Sequence, residues 1–261
     1  MDVILLLLGQ LLLYLPLIIG AYVSFRLLGL PDFSIEAAYL MGAILAVKSS
    51  GFFGSTPVIF HLLAQCLIAV FSGGLVGVTS GILTQYLRLN HALSSIITLG
   101  LFRGLMFFFI NDGRYTLQSS IKPLQLIAPL SFHPELITLF FIVLLSLLAM
   151  VRILNSQLGY CIAAYGQNNQ FFNYYPISSN FVVIMGLVLG NAYAGLSGYL
   201  VGLSHGYIDL AMGVGIPLMC LSAIIVGSLL ARKNKGPINL MVPITGIVFY
   251  FVLQQVLVKA G

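Results

Sequence analysis

Residues 57–87 read PVIFHLLAQCLIAVFSGGLVGVTSGILTQYL, a run without Asp, Glu, Lys or Arg. About 20 apolar residues in a helix rising 1.5 Å each cross the roughly 30 Å of hydrocarbon in a bilayer, and this run exceeds that length. Its small residues Gly73, Gly74, Gly77 and Gly81 recur at spacings of three and four, so one face can approach another helix closely. Continuous apolarity over such a length argues against a membrane β-barrel, whose strands alternate in segments of about ten residues.

The rest of the chain repeats the pattern. Of its 261 residues 60% are hydrophobic and 7% charged, with a mean hydropathy of +1.08. Soluble domains carry about 25% charged residues, and eleven Lys/Arg with six Asp/Glu cannot coat a water-facing surface of this size. Eight apolar segments emerge between polar breaks: Val3 to Ser24, Ile35 to Ala46, Pro57 to Leu87, Ala92 to Ile110, Pro134 to Leu154, Phe181 to His205, Ile216 to Leu230 and Ile238 to Val258. The expected fold is an all-α polytopic bundle of about eight membrane helices, forming one domain over residues 1–261. The second and seventh segments are short, which suits tilted core helices or partly re-entrant ones.

The N-terminus has Asp2 where a signal peptide carries basic residues, so Met1 to Gly20 reads as the first membrane helix. Cys66, Cys161 and Cys220 are odd in number and lack metal-ligand spacing, so they read as packing residues. The net charge of +5 is scattered between apolar runs rather than gathered on one face, which points away from nucleic acid. Basic residues serve instead to set topology. Placing the break Ala231 to Gly236 in the cytoplasm puts Arg26, Arg88 and Arg152 on that side, and Lys48, Arg114, Lys122 and Lys259 on the other, with both termini outside.

Two breaks exceed a simple turn: Asn111 to His133 on the outer side and Asn155 to Asn180 on the inner. The inner break carries Gly166-Gln167-Asn168-Asn169-Gln170, then Phe171, Phe172, Asn173, Tyr174, Tyr175 and Pro176, a mixture of amides and aromatics suited to a short surface helix offering a contact face.

Four stretches in order carry a resemblance. Phe25-Arg26-Leu27-Leu28-Gly29-Leu30-Pro31-Asp32-Phe33-Ser34 resembles the run joining the first two helices in bacterial ABC importer permeases of the branched-chain amino acid and ribose type, above all the subgroup tied to tryptophan or tyrosine uptake. Gly73 to Leu87, followed by Arg88-Leu89-Asn90, is similar to that family's glycine-rich helix and polar exit. Gly195-Leu196-Ser197-Gly198 keeps its small-residue pattern. His205 to Gly215 is similar to its outer loop.

The resemblance implies a type II importer-like permease in the bacterial inner membrane, pairing with itself or a similar permease, with cytoplasmic ATPase subunits and an extracytoplasmic solute-binding protein as partners. It also implies that Gly159 to Pro176 is the coupling segment that docks on the ATPase, through Tyr165, Gly166, Gln167, Asn168, Asn169, Phe171 and Phe172. Where relatives carry Arg, an acid and Pro, this chain has Ala163, Gln167 and Asn169, so the contact is expected to be less ionic. The chain ends soon after Gln254-Gln255, where many relatives continue into a further apolar segment.

Candidate residues for the translocation path or gate are Arg103, Asn191, Tyr193, Ser197 and Asp209. Arg103 lies inside the fourth span, where a charge must find a partner or water, so it either lines the path or pairs with a carboxylate. Asn191, Tyr193 and Ser197 are either interhelical hydrogen-bonders or solute ligands. Asp209, with His205 and Tyr207, lies on an outer loop that meets a binding protein or simply shapes the turn. Asp32 and Glu36 stand at a helix start, where capping is the expected role and a proton relay the alternative. His61 and His91 belong to no ligand set, no cofactor site is legible, and the dispersed acids and histidines give no convergent catalytic group. The competing reading is a self-contained secondary transporter or channel, which would need its own ion site.

Overall fold

The computed structural model describes residues 2–53, 58–110, 113–117, 134–173, 177–231 and 238–260. Among them are nine α-helices: α1 Asp2–Tyr22, α2 Ile35–Lys48, α3 Val58–Gln85, α4 His91–Phe109, α5 Pro134–Leu154, α6 Gln157–Gln167, α7 Ser179–His205, α8 Ile216–Leu230 and α9 Met241–Ala260. Each of the eight apolar segments becomes one helix, and the inner break supplies the ninth, α6. Of the nine described helices seven are long and apolar enough to cross a membrane, and α2 and the short α6 are the exceptions. The basic run Arg232-Lys233-Asn234-Lys235-Gly236, most of the outer break with Lys122, and Tyr174, Tyr175 and Pro176 lie outside the described residues, as does the side chain of Phe171.

The helix α7 is the hub. In its membrane window 72% of residues are buried, against 22% for α4 and α5, and α1, α2 and α3 pack directly on it. Peripheral helices instead turn Phe108, Phe141, Leu145 and Leu229 outward, a surface that water would not tolerate and lipid does.

At 14 residues α2 spans only about 21 Å. It is apolar on nearly all sides and buried along almost its whole length, as a helix without a polar face must be. The chain reaches its start by an unusual route. After α1, residues Val23–Leu27 form a π turn, with Leu28 N–H donating to the Val23 carbonyl at 2.9 Å, and Gly29 at φ +69° ends it in the left-handed region that favours glycine. The following residues dive into the bundle, so that Asp32, Ser34 and Ile35 are wholly buried. The short second segment is thus a core helix that begins inside the protein.

Close approach makes this hub possible. At one crossing α2, α3 and α7 meet through Gly42, Gly73 and Gly195, with backbone against backbone: a Cβ on Gly195 would collide with the Ala69 carbonyl oxygen and lie 3.1 Å from Gly73 Cα.

A two-stranded antiparallel ribbon, β1 Arg114–Thr116 with β2 Tyr207–Asp209, escapes the all-helical expectation. It ties the start of the outer break to the loop after α7, and the Arg114 guanidinium lies 4.1 Å over the Tyr207 ring. The pairing sets both segments at one end of the bundle, the ribbon end. At the other, α6 packs on the π turn after α1.

Candidate translocation path and coupling surface

Polar side chains inside the bundle sit on its seams. Asp32 is the most enclosed: its Oδ1 accepts hydrogen bonds from the Ser34 N–H at 3.0 Å and the Ser34 hydroxyl at 2.6 Å, and its Oδ2 accepts from Asn191 Nδ2 at 2.7 Å. Asn191 Nδ2 also donates to the Leu187 carbonyl at 2.9 Å. The cluster locks the turn before α2 to the middle of α7, and every oxygen of a fully buried carboxylate has a donor. Asp32 therefore does more than cap: it holds its own turn and a helix 159 residues away in sequence.

Tyr193 donates from its hydroxyl to the Ser146 carbonyl of α5 at 2.7 Å, Ser197 donates to the Leu13 carbonyl of α1 at 2.7 Å, and Tyr199 donates to Gln65 Oε1 of α3 at 2.6 Å. One helix thus sends polar bonds in several directions. Tyr193→Phe and Ser197→Ala are each expected to lower the melting temperature of the purified protein through a loss of about 0.6–1.5 kcal/mol, leaving solute selectivity unchanged. A shift in selectivity without a shift in melting would identify them as solute ligands instead.

Glu36 departs from its expected role as a cap. The N-cap Ser34 makes no side-chain cap bond, and Glu36 instead reaches Arg103 of α4, with Oε1 3.4 Å from Nη1. Arg103 therefore has its carboxylate, and it is partly open, with 39% of its side chain exposed. Asp209 sits at the ribbon end opposite Arg114 in the strand register, and its Oδ1 accepts from the Ala211 N–H at 2.8 Å, capping the 3-10 turn Leu210–Gly213. The five path candidates are therefore not gathered at one point. Asn191, Tyr193 and Ser197 fasten helices, Asp209 shapes the turn at the ribbon end, and Arg103 alone among them is an open charge within a span.

The coupling candidates do lie together. Tyr165, Gly166, Gln167, Asn168, Asn169 and Gln170 line one open cleft of about 460 Å³ with Leu28 and Leu30. Their arrangement follows from local chemistry. Asn168 leaves the helix in extended backbone and accepts from the Gln170 N–H at 3.0 Å, starting the 3-10 turn Asn169–Asn173. Gln167, Asn168 and Asn169 face out. Phe172 turns in, 7% exposed, with its ring 5.9 Å from that of Tyr165, so these aromatics brace the segment. Gly166 presses against the π turn, where a Cβ would collide with the Leu27 carbonyl oxygen.

A bundle of this kind, apolar toward its surroundings and polar along its seams and ends, defines a multi-pass α-helical membrane protein. The chain belongs to the family of branched-chain amino acid transport system permease components, whose model matches residues 3–261; it is a transport permease of the inner membrane. It is 26% identical over its full length to the uncharacterized protein RP368 of Rickettsia prowazekii (strain Madrid E), covering 91% of that protein. It is 27% identical over 82% of its length to the tyrosine transport system permease protein of Clostridioides difficile (strain R20291), covering 69% of it. Against the autoinducer 2 import system permease protein LsrC of Yersinia pseudotuberculosis serotype O:3 (strain YPIII) it is 28% identical over 76% of its length, and it spans about half of that relative, 54%. No solved structure matches.

Proposed function

We propose that this chain is the membrane-spanning permease subunit of an ATP-binding-cassette importer, receiving a small solute, an amino acid, from an extracytoplasmic binding protein. It acts as a single domain paired with a second copy or a similar permease, and hydrolysis takes place on separate cytoplasmic ATPase subunits. The observation that supports this most directly is the segment from α6 to Asn173. It offers outward amides to a partner while its inward face, through Gly166 and Phe172, bears on the protein behind it. A push on that surface travels through the Leu27 contact into the π turn, then along the buried turn holding Asp32 to α2 and α7. Rigid contacts of this kind carry the motion that changes the side to which a path opens. Kinship with the tyrosine permease supports the amino acid reading.

The test is co-purification with candidate ATPase subunits and vanadate-sensitive ATP hydrolysis by the complex. Gln167→Ala with Asn169→Ala, both exposed and facing away from the protein, is expected to weaken the complex about tenfold, the size of a contributing interface pair. Gly166→Ala is expected to leave the complex assembled while uncoupling hydrolysis from transport, because its added Cβ strikes the Leu27 carbonyl rather than the partner. Unchanged assembly and coupling in both variants, or solute uptake by vesicles without any ATPase, would overturn the reading and favour the secondary transporter.

A further inference from the structure

Three charges stand inside the bundle among the described residues: Asp32, Glu36 and Arg103. Asp32 is closed off, with three donors on its two oxygens. Glu36 and Arg103 are different. Their one N···O approach is 3.4 Å, longer than the 2.7–2.9 Å of a tight charge-assisted hydrogen bond, and the guanidinium side is open where the carboxylate side is not, 39% against 9%. Arg103 lies about 18 Å along α4 from His91 and about 9 Å short of Phe109, well within the span.

The surroundings leave room there. Gly104 follows Arg103 and Gly100 lies one turn before it, and nothing comes within 4 Å of a Cβ placed on either. From the ribbon end the turn at Gly213 packs on Leu40 and on Glu36, where an added Cβ would lie 3.1 Å from Glu36 Cγ.

Resting on the importer reading above, we propose that Glu36 and Arg103 form the recognition pair for a zwitterionic amino acid, the carboxylate of Glu36 taking the α-ammonium and the guanidinium of Arg103 taking the α-carboxylate. The charge balance selects this class. Inside a membrane an unpaired charge is costly, so Glu36 and Arg103 hold their two charges against each other. A zwitterion enters by exchanging one pair for two, leaving no charge alone. An anion strands Glu36, a cation strands Arg103, and a neutral polyol must part the pair without replacing either interaction. Arg suits the carboxylate through its planar fork of donors, and the loose geometry keeps the pair exchangeable.

The experiment compares uptake by proteoliposomes holding the assembled importer, using L-tyrosine, its decarboxylated cation tyramine, its deaminated anion 4-hydroxyphenylpropionate, and ribose. The three phenols share a ring and differ in charge. Wild type is expected to favour the zwitterion at least tenfold over each ion, a factor expected of one lost charged contact. Glu36→Gln combined with Arg103→Gln removes both charges together and leaves no unpaired ion; it is expected to lose that preference, while Arg103→Lys keeps it with weaker affinity. Melting temperatures report whether each variant is folded, and the charge-exchanged pair Glu36→Arg with Arg103→Glu gives a second neutral-sum variant should the double Gln fail. A folded double Gln variant that transports L-tyrosine as wild type does, with the same preference over both ions, would make the pair purely structural and overturn the proposal. ATP-driven uptake of ribose with rejection of L-tyrosine also overturns it and leaves the importer reading standing. Uptake without ATP sinks the importer reading instead, and the same comparison of charge variants still decides the role of the pair.

Discussion

Gly195→Ala is expected to abolish a monodisperse protein in detergent or to lower its melting temperature far more than a single-methyl change on α4. The added carbon meets the Ala69 carbonyl oxygen and the Gly73 backbone. None of those atoms can rotate aside, so α3 and α7 must separate, and α2 loses its seat at Gly42 as well. Overpacking a core costs roughly 1–3 kcal/mol, and a backbone-to-backbone crossing belongs at the top of that range, with Gly195→Val beyond it. The control is Gly100→Ala or Gly104→Ala on α4. Those positions are open, so the melting temperature of the isolated chain is expected to hold or rise, since alanine favours a helix over glycine by about 1 kcal/mol. Equal losses at Gly195 and Gly100, measured by size exclusion after a heat series, would remove the three-helix crossing as the organising contact.

The second large effect is expected at Asn191. Asn191→Leu takes the donor from Asp32 Oδ2 and the acceptor from the Ser34 hydroxyl, which lies 3.2 Å from Asn191 Oδ1. Breaking one partner of a buried charge costs about 3–5 kcal/mol, well above the loss of a neutral hydrogen bond such as that of Tyr193. Asp32→Asn in the Asn191→Leu background is expected to recover part of the stability, because an amide without its partner is less costly to bury than a carboxylate. The coupling between the two sites should be on the order of 1–3 kcal/mol, measurable by a double-mutant cycle on melting. Additive losses would show that the two side chains act independently and that Asp32 is held by Ser34 alone.

Much of this was legible in the chain because a bilayer leaves few choices. Runs such as residues 57–87 cannot expose backbone polar groups to lipid, so length and apolarity alone fix them as helices. The consecutive amides of Gln167 to Asn169 marked a solvent-facing segment, since burying them would require a partner for each of their donors and acceptors. Asn191, Tyr193 and Ser197 were legible as polar groups inside a span, but not their partners, which lie on other helices.

The remaining features depend on contacts distant in sequence. The pairing of Glu36 with Arg103 could not be read from a helix start, where an acid equally suits a cap. The ribbon joining Arg114–Thr116 to Tyr207–Asp209 is too short for any alternation to register, and its partners lie some ninety residues apart. The inward face of Gly166 and the burial of Phe172 reverse the local impression of a uniformly presented contact segment. By itself the sequence determined which segments lie in the membrane, because transfer to lipid is a property of each segment alone. The structure decided which charges, glycines and amides meet, because burial of a polar group or a bare backbone is set by whatever helix packs against it.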